Sequence, residues 1–293
     1  MRRSLLVCLL LLLCSEPALS QKQAAPGAVA ANQSPLIRDA SFHSESLNRD
    51  GHYRILLPND YSRGGQFPVL YLLHGLYGDD RNWETRTGLK NDVRNLPLLI
   101  VMPDADDSWY TNSATVPQDK FEDFIARDLI AEVDGNYRTI RERRGRAIAG
   151  LSMGGYGAVK MALKYPELFA FAGSLSGALN AAQNLDTLRP DFRAKLLQVF
   201  GNDGSPTREE NDVFLLLQRT TDQTALPYLY LACGTSDSFL DANRAFVLRL
   251  SSRKIAYEYR ESPGGHTWEY WDSAMLPMLQ AIQHTVRSFT PSH

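Results

Sequence analysis

The sequence predicts an α/β fold: a mostly parallel central sheet with helices on both faces and a small cap excursion. Three observations predict it. Continuous apolar runs such as Val69-Leu70-Tyr71-Leu72-Leu73 and Leu98-Leu99-Ile100-Val101-Met102 have the length and composition of strands buried on both faces. They alternate with segments of helical period, such as Phe121, Phe124, Ile125, Leu129, Ile130 and Val133, a helix expected to end before Gly135. One run, Ala147-Ile148-Ala149-Gly150-Leu151, ends in Ser152 and passes at once into a helical pattern that stops at Pro166. Strands alternating with helices build parallel sheets covered on both sides.

The 293 residues, 44% hydrophobic and 22% charged, suffice for one large core. The formal net charge is −2 and no basic stripe appears, which argues against a nucleic-acid partner. Arg2 and Arg3, the apolar Leu5 to Cys14 and the small-residue site Ala18-Leu19-Ser20 read as a signal peptide over 1–20. The apolar run is too short to span a bilayer. A secreted or periplasmic protein is therefore expected, with no stable membrane insertion after cleavage. Leu13 is large for the position before a lipid-modified Cys14. Cys8 and Cys14 fall inside the signal, so only Cys233 remains, reading as a core residue with no disulfide partner.

Residues 21–36, rich in Ala, Gln, Gly and Pro, read as a flexible tether, and 37–290 as one domain. Within it Tyr53 to Leu57 reads as a strand that turns at Pro58-Asn59-Asp60. Phe171 to Leu175 and Tyr228 to Cys233 are further strands, and Tyr257 to Arg260 the last. Asn180 to Ala225 is mostly helical with polar breaks and supplies the cap. Phe239 to Leu250 and Thr267 to Phe289 read as helices.

The chemistry gathers on Gly150-Leu151-Ser152-Met153-Gly154. A serine at a tight strand-to-helix turn is held in a strained conformation, and residues two before and two after it come too close for side chains. The helix that follows aims its free N–H groups at the same spot. A serine nucleophile needs a base and the base an orienting acid, in the chain order Ser, Asp or Glu, His. Of six histidines only His266, His284 and His293 follow Ser152; His293 is terminal and His284 lies inside the last helix. His266 stands in a loop just past a strand end, where parallel sheets place their sites. Asp237, directly after the run ending at Cys233, is the expected acid; Asp241 is the alternative, and Asp222 precedes the strand. The oxyanion formed on attack needs two N–H donors. Met153 follows the nucleophile, and Leu76 follows the strand ending at Leu73, with Gly75 allowing the turn. His74 comes too early to be the base and reads as structural. Asp104, Asp106 and Asp107 lack the partner set of a metal site and read as a solvated turn.

Taken together, Leu72-Leu73-His74-Gly75-Leu76, Gly150-Leu151-Ser152-Met153-Gly154-Gly155-Tyr156-Gly157-Ala158, Cys233-Gly234-Thr235-Ser236-Asp237 and Gly264-Gly265-His266-Thr267-Trp268 resemble the esterase D-like branch of the α/β-hydrolases. That branch includes tributyrin, acetyl and feruloyl esterases, S-formylglutathione hydrolases and mycolyl-transferases. The resemblance covers about Ile37 to Phe289. It implies an α/β-hydrolase fold with Ser152 as nucleophile, Asp237 as acid, His266 as base, and Leu76 and Met153 as oxyanion donors. It also implies that Trp83, Trp109 and Tyr110 line the acyl or alcohol pocket, packing being the competing role for aromatics there. The implied activity is a serine carboxylesterase acting on short-chain or aromatic acyl groups of a small-molecule or carbohydrate-linked ester, with no cofactor and no metal. Acyl transfer to a sugar or lipid uses the same residues, and a non-catalytic binding module could share the fold. A signal peptide fits poorly with S-formylglutathione hydrolysis, a cytosolic chemistry.

Overall fold

The computed structural model describes residues 36–286. The signal-peptide reading, nearly all of the tether reading and the end of the domain and last-helix readings lie outside them. Eight strands form one sheet: β1 (Leu36–Ser44), β2 (Arg49–Leu57), β3 (Val69–Leu73), β4 (Leu99–Pro103), β5 (Arg146–Leu151), β6 (Phe171–Leu175), β7 (Tyr228–Gly234) and β8 (Tyr257–Ser262). Their spatial order is β1-β2-β4-β3-β5-β6-β7-β8. Only the pairings made by β2 are antiparallel.

The apolar runs divide by parity, as a pleated strand requires. Val69, Tyr71 and Leu73 face one core, with Leu99, Val101, Ile148, Leu229 and Leu231. Leu70 and Leu72 face the other, with Ile100, Met102, Ala147, Ala149 and Ala232. The second core is covered by α1 (Asn82–Arg86), α2 (Leu89–Asp92) and the last helix, here α10 (Trp268–Thr285), which buries Trp271, Met275, Met278, Leu279 and Ile282. The first core is covered by α3 (Phe121–Asp123), α4 (Ile130–Asn136), α5 (Met153–Lys164), α6 (Pro190–Phe200), α8 (Val213–Arg219) and α9 (Leu240–Ser252), with the polar α7 (Pro206–Asn211) between α6 and α8. No described helix is long and apolar enough to cross a membrane.

Three local expectations differ. β1 begins at Leu36, inside the stretch read as tether, and β2 begins at Arg49 rather than Tyr53. β1 is the edge strand and, like the first residues of β2, is largely exposed, so these segments lack the apolar run of a central strand. α3 and α4 are one continuous helix joined by a π-helical stretch, Phe124–Leu129, and the helix continues past Gly135 to Asn136. The cap over Asn180 to Ala225 forms as helices α6 to α8, and Tyr156 of α5 ties them down by donating its hydroxyl to Asn211 O at 2.7 Å.

β3 sits between β4 and β5, so successive connections leave it in opposite directions. A crevice opens at the carboxyl ends of strands at such a switch point. The loops after β3 and β5 carry His74-Gly75-Leu76 and Ser152, and Leu73 pairs with Gly150 across the switch.

Candidate active site

Ser152 stands between β5 and α5 with φ 53° and ψ −115°, a conformation L-residues rarely adopt. Its own backbone is fully committed. The N–H donates to Leu175 O at 2.9 Å, and the carbonyl accepts from Tyr156 N at 3.0 Å and Ala178 N at 3.1 Å. Such over-determination is what lets strain persist. A Cβ on Gly150 would lie 2.5 Å from the Gly154 carbonyl carbon, and one on Gly154 would lie 2.5 Å from Leu73 O. The two glycines are therefore required by space, as the spacing predicts.

The loops after β7 and β8 are laced together. Thr235 N donates to Ser262 O and Ser236 N to Gly264 O, each at 2.9 Å. This brings Asp237 and His266 to the serine. His266 Nε2 lies 2.9 Å from Ser152 Oγ, and its Nδ1 lies 3.0 and 3.2 Å from the two Asp237 oxygens. With Nδ1–H donating to the carboxylate, Nε2 is left as acceptor for the serine proton. Phe239 and Trp271 meet the imidazole edge-to-face, at centroid distances of 5.1 and 4.9 Å, and fix its plane. Burial acts to raise the Asp237 carboxyl, but hydrogen bonds from His266 and from the Phe239 N–H outweigh it, leaving Asp237 below the usual carboxylate range. Asp241, the alternative acid, is exposed in the first turn of α9. Cys233 is buried, and burial pushes its thiol up to about 12, so it is inert at neutral pH.

Met153 opens α5 and Leu76 lies in the loop after β3. Neither N–H donates to a backbone or side-chain acceptor among the described residues. The neighbouring Tyr77 N–H is spent on Asp107 Oδ1 at 2.7 Å. Gly75 opens a turn closed by the Gly78 N–H on its carbonyl at 3.0 Å. Its φ is not positive; a Cβ there would lie 2.5 Å from Leu151 Cδ1. Gly75 thus combines the turn with room beside Leu151 at the end of β5.

The three aromatics expected to line a pocket are all buried. Trp83 is 1% exposed, packs in the second core against Trp268, and donates its indole N–H to Leu73 O at 3.0 Å. Trp109 packs on Tyr156 and Phe200, and Tyr110 is wholly buried with its hydroxyl donating to His74 O at 2.8 Å. Packing is the role their surroundings give them. The large aromatic that stays exposed beside the site is Tyr77, at 70%, with the Lys195 ammonium of α6 5.1 Å from its ring centre. Asp106 pairs with Arg49 at 3.3 Å and Asp104 Oδ1 accepts the Asp106 N–H at 3.2 Å, so all three loop aspartates have partners within the fold.

Sequence reasoning missed Lys160. It lies on α5, is 0% exposed, donates to Tyr110 O and to Thr111 Oγ1, and pairs with Glu122 at 2.9 Å. Trp109 and Tyr110 are both left-handed, with φ 56° and 53°, and Lys160 holds the carbonyl of that turn. A lysine set between Val159 and Met161 on a glycine-rich helix was the available signal.

Residues 44–282 match the family described as "Putative esterase". An esterase of Mycobacterium tuberculosis, MT1326, is 33% identical over 251 residues, covering 78% of this chain and 55% of that protein. The chain thus spans about half the length of that relative. The acetyl esterase of Caldicellulosiruptor saccharolyticus is 26% identical over 80% of this chain and 94% of its own. Among solved structures, the fluorophosphonate-binding serine hydrolase FphF of Staphylococcus aureus superposes with a TM-score of 0.77 at 28% identity, covering 87% of this chain and all of that one (100%). Similarity of this extent, over an eight-stranded, mostly parallel sheet, gives the molecule the α/β-hydrolase fold and makes the chain a member of the esterase family.

Proposed function

We propose that the protein is a serine carboxylesterase working through an acyl-enzyme. The observation that carries the reading is the continuous hydrogen-bond line from Ser152 Oγ through His266 to Asp237. Ser152 Oγ attacks the ester carbonyl carbon while His266 Nε2 takes its proton. The oxyanion is held by the Leu76 and Met153 N–H groups. Its collapse expels the alcohol, which takes the proton from His266. Water then attacks the acyl-enzyme, His266 again serving as base, and the acid leaves with Ser152 restored. Asp237 holds the imidazole tautomer and offsets its transient positive charge.

A short acyl group is favoured by the cap, three short helices without a large lid, and by the likeness to an acetyl esterase. Export is the remaining part of the reading; it rests on Arg2, Arg3 and the apolar run after them. The test is a burst of nitrophenol on mixing with nitrophenyl acetate, followed by a panel of acetyl, butyryl, octanoyl and feruloyl esters. The short and aromatic acyl esters should turn over best, and strong selectivity for octanoyl would overturn that preference. Competition by added alcohols separates hydrolysis from acyl transfer.

Asp237→Asn should lower kcat by about 10⁴, because the amide favours the wrong imidazole tautomer. Asp241→Asn should leave it close to the parent. Since Asp237 titrates below the usual carboxylate range, it is already ionised where a histidine gains its proton. The acid limb of kcat/KM should therefore be a single ionisation, with activity lost as pH falls. Steady-state profiles of both variants check the two statements together.

The donor at Leu76 is a backbone group, so side-chain truncation does not remove it. Leu76→Ala keeps the N–H and should cost far less than Leu76→Pro, which deletes it. Loss of one such donor costs about 10²–10³ in rate. Circular dichroism and the pre-steady-state acylation rate of each variant test this; a folded Leu76→Pro protein that acylates normally would place the second donor elsewhere.

A further inference from the structure

The peptide joining Gly75 to Leu76 carries the oxyanion donor on one side and the Gly75 carbonyl on the other. No described peptide bond is cis, so the C=O and N–H of this unit point in opposite directions. Fixing the carbonyl fixes the donor. Gly75 O is held twice, by His74 Nδ1 at 2.7 Å and by the Gly78 N–H at 3.0 Å. At the far side of the ring, His74 Nε2 accepts the Ala105 N–H at 3.0 Å. An imidazole that accepts at Nε2 while neutral must carry its proton on Nδ1. Ala105, in the loop after β4, therefore sets the tautomer with which His74 grips Gly75. The Tyr110 hydroxyl fixes the preceding peptide by donating to His74 O at 2.8 Å.

The grip answers a need created by Gly75 itself. A Cβ at that position would lie 2.5 Å from Leu151 Cδ1, so a side chain there would displace that methyl group, and glycine avoids the displacement. Glycine reaches both halves of φ/ψ space with little penalty, so the peptide after it is unusually free to turn over and carry the Leu76 N–H away. His74 is 1% exposed, and burial lowers its pKa, so the ring stays neutral and the tautomer holds.

We propose that His74 is the positioning residue of the oxyanion hole: its Nδ1–H locks the Gly75–Leu76 peptide in the orientation that presents the Leu76 N–H to the reacting carbonyl. This rests on the serine-esterase reading above. His74 touches no substrate atom and acts only through the peptide it holds. Asn places an N–H near the position of Nδ1, whereas Gln reaches toward Nε2 and leaves Gly75 O without its donor.

The experiment compares His74→Ala, His74→Asn and His74→Gln with the parent, using an acyl ester and its thionoester. A thionoester develops charge on sulfur, which an oxyanion hole serves poorly, so the ratio of the two kcat/KM values reports the hole itself. His74→Ala and His74→Gln should lose about 10–10² in kcat, less than outright loss of a donor, with KM changed by less than about threefold. Their preference for the oxygen ester should shrink, and a trifluoromethyl ketone inhibitor should weaken by the same factor as kcat. His74→Asn should recover most of each loss. Equal behaviour of folded Asn and Gln variants, or an unchanged ester-to-thionoester ratio in either, would overturn the role. The Asn and Gln pair decides the matter even if His74→Ala does not fold. Full turnover by Ser152→Ala would overturn the esterase reading and this proposal with it. An inactive Ser152→Ala protein beside unimpaired His74 variants would overturn this proposal alone.

Discussion

Ser152→Ala is expected to lose about 10⁶ in kcat on a nitrophenyl ester while folding as the parent does. The hydroxyl makes one contact of consequence, the 2.9 Å bond to His266, and the hydrophobic cores do not depend on it. The residue's strained backbone is held by Leu175, Tyr156 and Ala178 whatever the side chain is. His266 keeps its Asp237 bonds, so the rest of the site survives. A fluorophosphonate probe, which phosphonylates an activated serine hydroxyl, should label the parent and not the variant. Adding His266→Ala to Ser152→Ala should lower the remaining rate little, because nucleophile and base act as one unit. The rate constants of the two single variants and the double variant, with thermal melts of each, decide this. A folded Ser152→Ala protein within tenfold of the parent rate would remove the serine from the chemistry.

Glu122→Ala is expected to destabilise the fold by about 3–5 kcal/mol, the usual result of leaving one member of a buried ion pair alone. Glu122 receives Lys160 at 2.9 Å, Lys164 at 2.5 Å and the Tyr165 hydroxyl at 2.8 Å. Burial raises its pKa, but the two lysines overcome this and hold the carboxyl down to about 2. Lys160 has no exposure to water. Without Glu122 its ammonium must shed its proton or stay uncompensated. The sign in pH follows from the lowered value. Glu122 stabilises the fold at pH above its ordinary 4.5, and that contribution disappears as pH falls toward about 2. The gap between parent and variant in urea melts should therefore be full at pH 7 and shrink below pH 4. Replacing the pair together, Lys160→Met with Glu122→Leu, should recover a good part of the loss.

The sheet was legible because its central strands are buried on both faces and consist mostly of aliphatic and aromatic residues. The turn at Ser152 was legible because Gly150 and Gly154 answer a demand for space that any such turn makes. His266 and Asp237 were legible from chain order and from standing just past strand ends. Of the edge hairpin only the apolar end of β2, Tyr53 to Leu57, could be read; β1 and the first residues of β2 were not legible, since a strand with one wet face has no obligatory apolar run. Nor were the roles of His74, Lys160 and Asp107. Each acts on a backbone group of a segment distant in sequence: the ring of His74 meets Ala105, Lys160 meets Tyr110, and Asp107 meets Tyr77. No local period or spacing encodes those meetings. Trp83, Trp109 and Tyr110 show the converse, aromatics next to motif loops whose rings turn inward.

β8 is an edge strand, paired only with β7 among the described residues, and the loop after it carries His266. His266 lies 29 residues from Asp237 and 114 from Ser152 along the chain. On the proposed reading a ribosome delivers the nucleophile long before its base, and a chain ending before β8 is expected to be chemically silent. In the finished protein the same arrangement makes catalysis the most sensitive gauge of integrity. An edge strand opens at lower free energy than the interior, so warming should extinguish turnover while most of the helix signal remains, and cooling should bring it back as soon as one strand re-docks.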